Sequence, residues 1–186
     1  MEIESSERLG PDAWVDAAYA AFEAGGVTAV RVDPLAKSMG ITRGSFYWHF
    51  KDRGALLRAV IARWDTINTD EAIAENEAQG GTPADRLLRL LRSCATDDGR
   101  FEMGIRAWAA EDEEVRRRVA GIDTRRLNYM ADLIEQTGVE RETALKRARV
   151  GYVAWLGTYV GAAFDETAQR LADMDCLWRM MLVKDR

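Results

Sequence analysis

Apolar residues recur at three- and four-residue spacing along most of this chain, which is the pattern of helices with one buried face. The first stripe predicts a helix from Pro11 to about Glu23, ended by the pair Gly25-Gly26. No alternating Val, Ile or Thr run is long enough to predict a strand, so the sequence predicts an all-α fold. The later stripes predict a helix capped by Asp52, a helix that begins at Thr82-Pro83, and helices over Phe101–Ala109, Glu111–Gln136, Glu142–Phe164 and Glu166–Val183.

The segment from Val32 to Phe50 predicts two short helices joined by a tight turn. The first would run over Pro34–Met39, with Asp33 as its N-cap and proline at a position where the missing N–H costs nothing. Gly40 suits the left-handed residue that ends a helix, and Thr42 can cap a second helix over Arg43–His49. Two helices joined by a short turn that contains glycine are the signature of a helix-turn-helix.

The second of these helices is rich in groups that hydrogen-bond to phosphates and base edges. Arg43 can donate to both acceptors of a guanine, and Gly44 allows close approach to a groove floor. Two roles stay open for Trp48, namely a contact to DNA sugars and packing that braces the three-helix head. The alternative, an ordinary helical hairpin with its aromatics in the core, does not explain so many donors. The candidate DNA-binding residues here are Thr42, Arg43, Gly44, Ser45, Tyr47, Trp48, His49, Lys51 and Arg53.

The charge of the chain is unevenly distributed. The 186 residues carry a net charge of −5, which by itself argues against nucleic acid. Between Arg31 and Arg58, however, six basic and two acidic side chains give +4, so the remaining residues carry −9. A positively charged segment in an otherwise acidic chain is the charge distribution expected of a protein that binds phosphates through one surface.

The run LAKSMGITRGSFYWHF that begins at Leu35, followed by KDRGALL from Lys51, resembles the tetracycline-repressor (TetR) family of bacterial transcription regulators. The resemblance implies a helix-turn-helix DNA-binding domain over residues 1–53 and a ligand-binding and dimerisation domain over residues 54–186. It implies a homodimeric regulator, usually a repressor, that binds a near-palindromic operator and is released by a small-molecule effector bound among the body helices. It also implies that Thr28 and Arg31 lie near the phosphates.

Aromatic and methionine side chains in the body are candidates for an adaptable apolar pocket. The alternative is that each of them lies in plain core or in a dimer interface. The candidate pocket residues are Trp64, Phe101, Met103, Trp108, Tyr129, Tyr152 and Trp155.

From Val150 to Phe164 no charged side chain appears, and a helix that is apolar on every side is buried on every side. Near the end of a short chain a second subunit is the natural cover, and the resemblance implies a four-helix dimer interface. The alternative is an internal hairpin of a monomer. The candidate interface residues are Val153, Leu156, Gly157, Val160, Gly161, Leu171, Met174 and Trp178.

Several function classes are disfavoured by what the sequence lacks. With one histidine, two distant cysteines, no G-x-S-x-G and no glycine-rich phosphate loop, we expect no enzyme, metal site or cofactor. No stretch of about eighteen apolar residues and no basic signal segment occurs, so we expect a cytoplasmic protein without a membrane partner. The acidic N-terminus, Pro34 and Gly54 keep one alternative open, a helical ligand-binding or scaffold protein that has lost DNA binding.

Overall fold

The structure is a computed structural model that describes residues 10–160 and 166–183. In that part of the chain every regular element is helical, which confirms the all-α prediction. A π-helical turn over Thr66–Glu71 joins α4 to α5. The ten α-helices are α1 (Pro11–Ala29), α2 (Val32–Ser38), α3 (Arg43–His49), α4 (Arg53–Asp65), α5 (Ala72–Ala78), α6 (Pro83–Thr96), α7 (Arg100–Glu111), α8 (Glu113–Gln136), α9 (Arg141–Gly157) and α10 (Thr167–Met181).

The glycine pair in α1 breaks the helix but does not end it. Gly25 (φ −157°, ψ 20°) and Gly26 (φ 67°, ψ −163°) leave helical geometry, and one further turn continues to Ala29. The positive φ of Gly26 is a conformation that side chains other than glycine rarely adopt. The prediction that α1 ends at these glycines was therefore wrong by one turn, because a kink and not a stop occurs there.

The turn between α2 and α3 is closed by a Schellman motif. Gly40 has φ 69°, its N–H donates to the Lys37 carbonyl at 3.2 Å, and the Ile41 N–H donates to the Ala36 carbonyl at 3.0 Å. This confirms the predicted left-handed glycine. The same bonds satisfy carbonyls at the end of α2 and fix the direction in which α3 leaves the turn.

Two predicted caps of this motif were wrong in detail. Helix α2 begins at Val32, so Asp33 lies inside its first turn, and no side-chain cap is present. The Asp33 carboxylate lies instead 3.5 Å from Nε of Arg43. Thr42 does precede α3, but its backbone carbonyl, and not its hydroxyl, accepts the Ser45 N–H at 3.0 Å.

The caps of two longer helices agree with the prediction. Oδ1 of Asp52 accepts the Ala55 N–H at 2.7 Å at the start of α4. Thr82 and Asp85 form a reciprocal capping box at the start of α6. The polar stretch after Ile67, which the apolar pattern left outside a helix, is helical as well, since the π-helical turn carries α4 on into α5.

Two hydrophobic cores hold the chain together. The first joins the head helices α1–α3 and helix α4 to Phe101, Ile105 and Ala109 of α7 and to the beginning of α8. The second joins α6, the end of α8, α9 and α10. Because the first core crosses residues 53 and 54, the head is packed onto the body through α7 as well as through α4. The domain boundary itself stays a prediction.

None of the helices in the described ranges is both long enough and apolar enough to cross a membrane.

Gly99 combines a left-handed backbone conformation with a close aromatic neighbour. It has φ 70° immediately before α7, and a Cβ at this residue would overlap the Tyr159 ring. We expect Gly99→Ala to lower the free energy of unfolding by about 2 kcal/mol or more, because it combines a left-handed alanine with overpacking. Urea unfolding followed by circular dichroism measures the change.

Gly121→Ala is the matched control. Gly121 lies on the exposed side of α8, where an added Cβ would meet nothing within 4 Å. This variant should raise the free energy of unfolding by about 0.5–1 kcal/mol. Equal effects of the two substitutions would contradict the packing of Tyr159 over Gly99.

Candidate nucleic-acid interface and ligand cavity

Helix α3 presents one buried face to the head and an opposite face to solvent. Phe46 is fully buried, with its ring 5.2 Å from that of Trp14 and 5.6 Å from that of Phe50. The neighbouring Trp48 is 87% exposed and Tyr47 is 53% exposed. The aromatic core thus fixes α3 rigidly while its outer side chains stay available to a partner.

Arg43 is held in place on this outer face. Its Nη2 donates to the Tyr47 hydroxyl at 3.1 Å, and its guanidinium carbon lies 5.8 Å from the centroid of that ring. The hydrogen bond to Tyr47, and then the charge of Asp33, raise the pKa of Arg43 above its ordinary value. Arg43 is therefore a permanently charged donor at the N-terminal end of α3.

The other candidate DNA-binding residues lie at the same surface. All of them are exposed except Ser45, which is half-buried. Thr28 donates to the Gly25 carbonyl at 3.4 Å, within the last turn of α1. The exposed remainder is Arg31, Thr42, Gly44, His49 and Lys51.

Arg53 has a different place from the one predicted. Its Nε donates to the Val30 carbonyl at 2.6 Å, and its Nη2 donates to the Val27 carbonyl. These bonds tie the beginning of α4 to the end of α1. The prediction of Arg53 as a phosphate contact needs correction, because its guanidinium is engaged by carbonyls left unpaired where α1 ends.

A cavity of about 280 Å³ is bordered by α1, α4, the π-helical turn, α5, α6, α7, α8 and α9. Five of the seven predicted pocket residues line it, namely Trp64, Phe101, Tyr129, Tyr152 and Trp155. Tyr19 of α1 and Tyr159, just after α9, complete the aromatic walls. The carboxyl-bearing residues of the lining are Glu23, Asp97, Asp98 and Glu102, and its arginine is Arg126.

Met103 and Trp108 do not line this cavity, contrary to expectation. Met103 lies about 200° around α7 from Phe101, and Trp108 lies about 10 Å further along the helix axis. Trp108 packs 6.3 Å from the Phe22 ring and lines a second cavity of about 240 Å³ beside Leu57 and Ile61.

A buried network of charges forms one wall of the cavity. Glu102 accepts from Arg106 Nε at 2.7 Å and from Arg126 Nη1 at 3.1 Å. Arg106 also forms two hydrogen bonds to Asp123, at 2.8 and 3.1 Å, and the Tyr152 hydroxyl donates to Asp123 at 2.7 Å. Two positive and two negative groups therefore compensate each other away from water, as buried charges must.

Thr69 extends this network to the π-helical turn. Its hydroxyl accepts from Arg126 Nε at 2.8 Å, and it is 1% exposed. The guanidinium carbon of Arg126 also lies 4.7 Å from the centroid of the Trp64 ring. Helices α4, α7 and α8 and the π-helical turn are thus joined around one arginine.

Burial shifts the pKa of several groups on the walls. Desolvation, followed by the hydrogen bond to Glu77, raises the pKa of Tyr129 to about 12. Desolvation also raises the pKa of Cys94 to about 12, so its thiol stays protonated and a poor nucleophile at neutral pH. These groups act as neutral hydrogen-bonding or apolar surface.

Several cavity residues escaped the sequence analysis. Tyr19, Glu23 and Asp97 line the cavity but are not among the predicted pocket residues. Their signal is weak because each comes from a different part of the chain. The spacing of Glu102 and Arg106, four residues apart on one helix, is the local signal that indicates the charge network.

Helices α9 and α10 present an exposed apolar face. Val153 is 64% exposed and Val160 is 73% exposed, and Val150, Met180 and Val183 are exposed too. Gly157 is exposed, whereas Leu156 and Leu171 are half-buried. Gly161, also a candidate interface residue, lies outside the described residues.

Two candidate interface residues point into their own chain. Met174 is 2% exposed in the second hydrophobic core. Trp178 is half-buried and donates its indole N–H to the Ala84 carbonyl at 2.9 Å. The expectation for Met174 was wrong because α10 turns this side toward α6. The expectation for the half-buried Trp178 stays a prediction.

Comparison with known proteins gives a family match in the head. Residues 15–60 match the family described as bacterial regulatory proteins, tetR family. The chain is 31% identical over 93 residues to the HTH-type transcriptional regulator AcrR of Shigella flexneri, a match over 46% of this chain and 42% of AcrR. It is 44% identical over 48 residues to SrpR of Pseudomonas putida, over 26% of this chain and 22% of SrpR. The matches thus span less than half the length of these curated relatives.

Solved structures extend the likeness to the whole chain. A protein from Rhodococcus sp., assigned to the TetR family of transcriptional regulators, has a TM-score of 0.71 at 23% identity, over 96% of this chain and all of the other. A protein from Saccharomonospora viridis, assigned as a transcriptional regulator and solved in complex with choline, has a TM-score of 0.81 at 16% identity, over 91% of this chain and 95% of the other. At such identities the likeness establishes the fold. Together with the match in the head, it makes this chain similar to the tetR family of bacterial regulatory proteins.

Proposed function

We propose that this chain is a homodimeric, ligand-responsive transcriptional regulator that acts as a repressor. It binds a near-palindromic DNA operator through α3. The single observation that carries the proposal is the outer face of α3, where Arg43, Tyr47 and Trp48 are exposed on a helix whose other face is locked by Phe46. The match of residues 15–60 to the tetR family model and the fold support it.

In this proposal α3 enters the major groove. Arg43 has the five donors that suit the two acceptors of a guanine, and the Tyr47 hydroxyl positions it before DNA arrives. Arg31, Lys51 and the hydroxyl of Thr42 meet phosphates, which orient the head without reading sequence. Two heads related by a two-fold axis bind two half-sites in successive major grooves, so the operator is nearly palindromic.

The exposed face of α9 and α10 is the proposed dimer interface. Val150 and Val153 lie on one side of α9 and Val160 follows its end, while Met180 of α10 and Val183 just after it add apolar surface. Gly157 allows two such helices to approach closely. Pairing this face with its copy removes exposed apolar area from water and sets the distance between the two heads.

The cavity is the proposed effector site. Tyr19 and Glu23 on its wall belong to α1 of the head, and Trp64 belongs to α4. The Arg53 hydrogen bonds join α1 to α4, so a ligand that moves either helix moves both. The structural neighbour in complex with choline supports a ligand-binding body. A ligand that prefers the non-binding arrangement by about 1–3 kcal/mol lowers operator affinity several-fold to over a hundredfold.

Substitutions of Arg43 and Lys51 separate base reading from phosphate binding. We expect Arg43→Ala to lower affinity mainly for operators that carry the contacted base pair, by about 1–3 kcal/mol. Lys51→Ala should lower affinity equally on all sequences and reduce the salt slope by about 1. Fluorescence anisotropy at several salt concentrations, with a duplex selected from random DNA and with its scrambled version, measures both effects.

Arg141→Ala provides a control for the loss of a positive charge, since Arg141 lies at the start of α9, about 120° around the helix from Val153, and pairs with Asp132 and Glu135. It should leave DNA binding unchanged. If Arg43→Ala weakened selected and scrambled duplexes alike, the base-reading role of Arg43 would be refuted. If the wild-type chain bound no selected duplex, the regulator proposal itself would fail.

A charge on the proposed dimer face tests the assembly. Val153→Glu places a carboxylate at the centre of the exposed face of α9, so two would be desolvated in each dimer. We expect the dimer dissociation constant to rise at least a hundredfold, and operator affinity to fall with it, as measured by sedimentation velocity and anisotropy. Ala120→Glu, on the exposed side of α8, is the control and should leave both unchanged. A wild-type chain that stays monomeric at high micromolar concentration would contradict the proposal.

A further inference from the structure

The cavity walls combine stacked aromatic rings with an unbalanced charge. Tyr19 stacks on Phe101 with ring centroids 4.2 Å apart, and Trp64 lies 6.4 Å from the same ring. On the other side Trp155 packs edge-on against Tyr152 and Tyr159 at 5.1 and 5.7 Å. The faces of such rings carry partial negative charge and attract cations.

Most of the formal charges on the walls are already paired. Glu102 is compensated by Arg106 and Arg126, and Asp98 lies 3.2 Å from Nε of Arg100. Glu23 and Asp97 are different, since neither forms an ion pair with any residue in the described ranges. Among the described residues, the Asp97 carboxylate accepts only the backbone N–H of Gly99. Two exposed carboxylates without an ionic partner in the described ranges therefore border the aromatic cavity.

These two carboxylates act on the inside of the cavity. Burial comes first among the causes that raise the pKa of Tyr19, and the charges of Glu23 and Asp97 raise it further. Burial and then Asp97 likewise raise the pKa of Tyr159. The hydroxyls of Tyr19 on α1 and of Tyr159 just after α9 are therefore both exposed to the negative charge of Asp97.

Arg126 adds a second signal of a ligand. Its side chain is 10% exposed and lines the cavity, with Nε bound to Thr69 and Nη1 bound to Glu102. Its Nη2 has no hydrogen-bond partner among residues 10–160 and 166–183. Because Glu102 already balances the charge of this guanidinium, the open Nη2 suits a neutral acceptor such as a carbonyl.

From these contacts we propose that the cavity binds an organic cation, with its ammonium group between Glu23 and Asp97 and its apolar body against the Tyr19, Phe101 and Trp155 rings. A carbonyl or ester oxygen of the ligand accepts from Nη2 of Arg126. This inference rests on the proposed effector site and specifies the chemical class of its ligand. A neutral ligand of the same shape leaves both carboxylates without a partner and loses the attraction of the rings.

The proposed position of the cation also explains how binding reaches the head. Glu23 lies two residues before the break at Gly25 in α1, whereas Asp97 lies between α6 and α7. A cation shared by the two carboxylates joins α1 to the body ahead of that break. The segment after the break is the one that Arg53 holds against α4.

Benzoylcholine and 3,3-dimethylbutyl benzoate form a matched pair of probes. The two esters have the same shape, with a quaternary nitrogen in the first replaced by carbon in the second. Isothermal titration calorimetry of the full chain without DNA should give at least tenfold tighter binding of benzoylcholine. The anion 4-tert-butylbenzoate should bind more weakly than either ester.

A pair of double variants of equal net charge tests the two carboxylates. Glu23→Gln with Asp97→Asn keeps side-chain shape, and the new amide oxygen at residue 97 still accepts from Gly99. We expect this variant to bind benzoylcholine at least tenfold more weakly and the neutral ester unchanged. Glu71→Gln with Glu111→Gln removes two exposed carboxylates that do not line the cavity, and should match the wild type. Thermal melts of each variant verify folding.

Equal binding of the two esters, tighter binding of the anion, or no binding of any probe to the wild-type chain would overturn the proposal. An equal loss of benzoylcholine affinity in both double variants would assign the attraction to net charge and would overturn it too. None of these measurements uses DNA. If operator binding persists alongside such a failure, the regulator proposal stays intact. If operator binding fails, the ligand measurements can still be interpreted, because they do not depend on DNA.

Discussion

The body of this protein depends on the compensation of two arginines that are mostly shielded from water. Arg106 and Arg126 come from different helices, and Glu102 lies between them with a hydrogen bond to each. Asp123, Tyr152 and Thr69 accept or donate the remaining bonds, so α7, α8, α9 and the π-helical turn are held in one arrangement. Removing one partner leaves a desolvated charge, at a cost of about 3–5 kcal/mol. This network gives the cavity a rigid wall. A small displacement of α1 or α4 relative to that wall would therefore change the shape of the cavity.

The head is coupled to that cavity through two helices and not one. Helix α1 contributes Tyr19 and Glu23 to the walls, and α4 contributes Trp64. The aromatic core around Phe46 makes the head rigid, while Arg53 fixes the end of α1 to the beginning of α4. In the proposed mechanism, a displacement of either helix would move α3 together with the whole head and preserve the internal packing of the head.

Local signals in the sequence were sufficient for the helix-turn-helix. Gly40, the bounds of α3 and the cap at Asp52 depend on residues within a few positions of one another, and each appears as predicted. What failed depends on contacts between distant segments. Arg53 binds carbonyls more than twenty residues away, and Met174 turns toward α6, which no spacing rule states. Similarly, the pattern placed Trp108 in the body but could not tell which of two cavities its side chain lines.

A π-helical turn amounts to one residue inserted into an α-helix, and Thr66–Glu71 separates two functions in this way. Before it, Trp64 faces the aromatic wall. After it, Asn76 accepts from Arg89 at 2.9 Å and donates to Tyr129 at 2.8 Å, which anchors α5. Deleting a single residue here would rotate Asn76 by about 100° and detach that anchor without touching Trp64. An insertion or deletion in this turn would therefore change the outer rim of the cavity, while α4, which connects the cavity to the head, keeps its helical register.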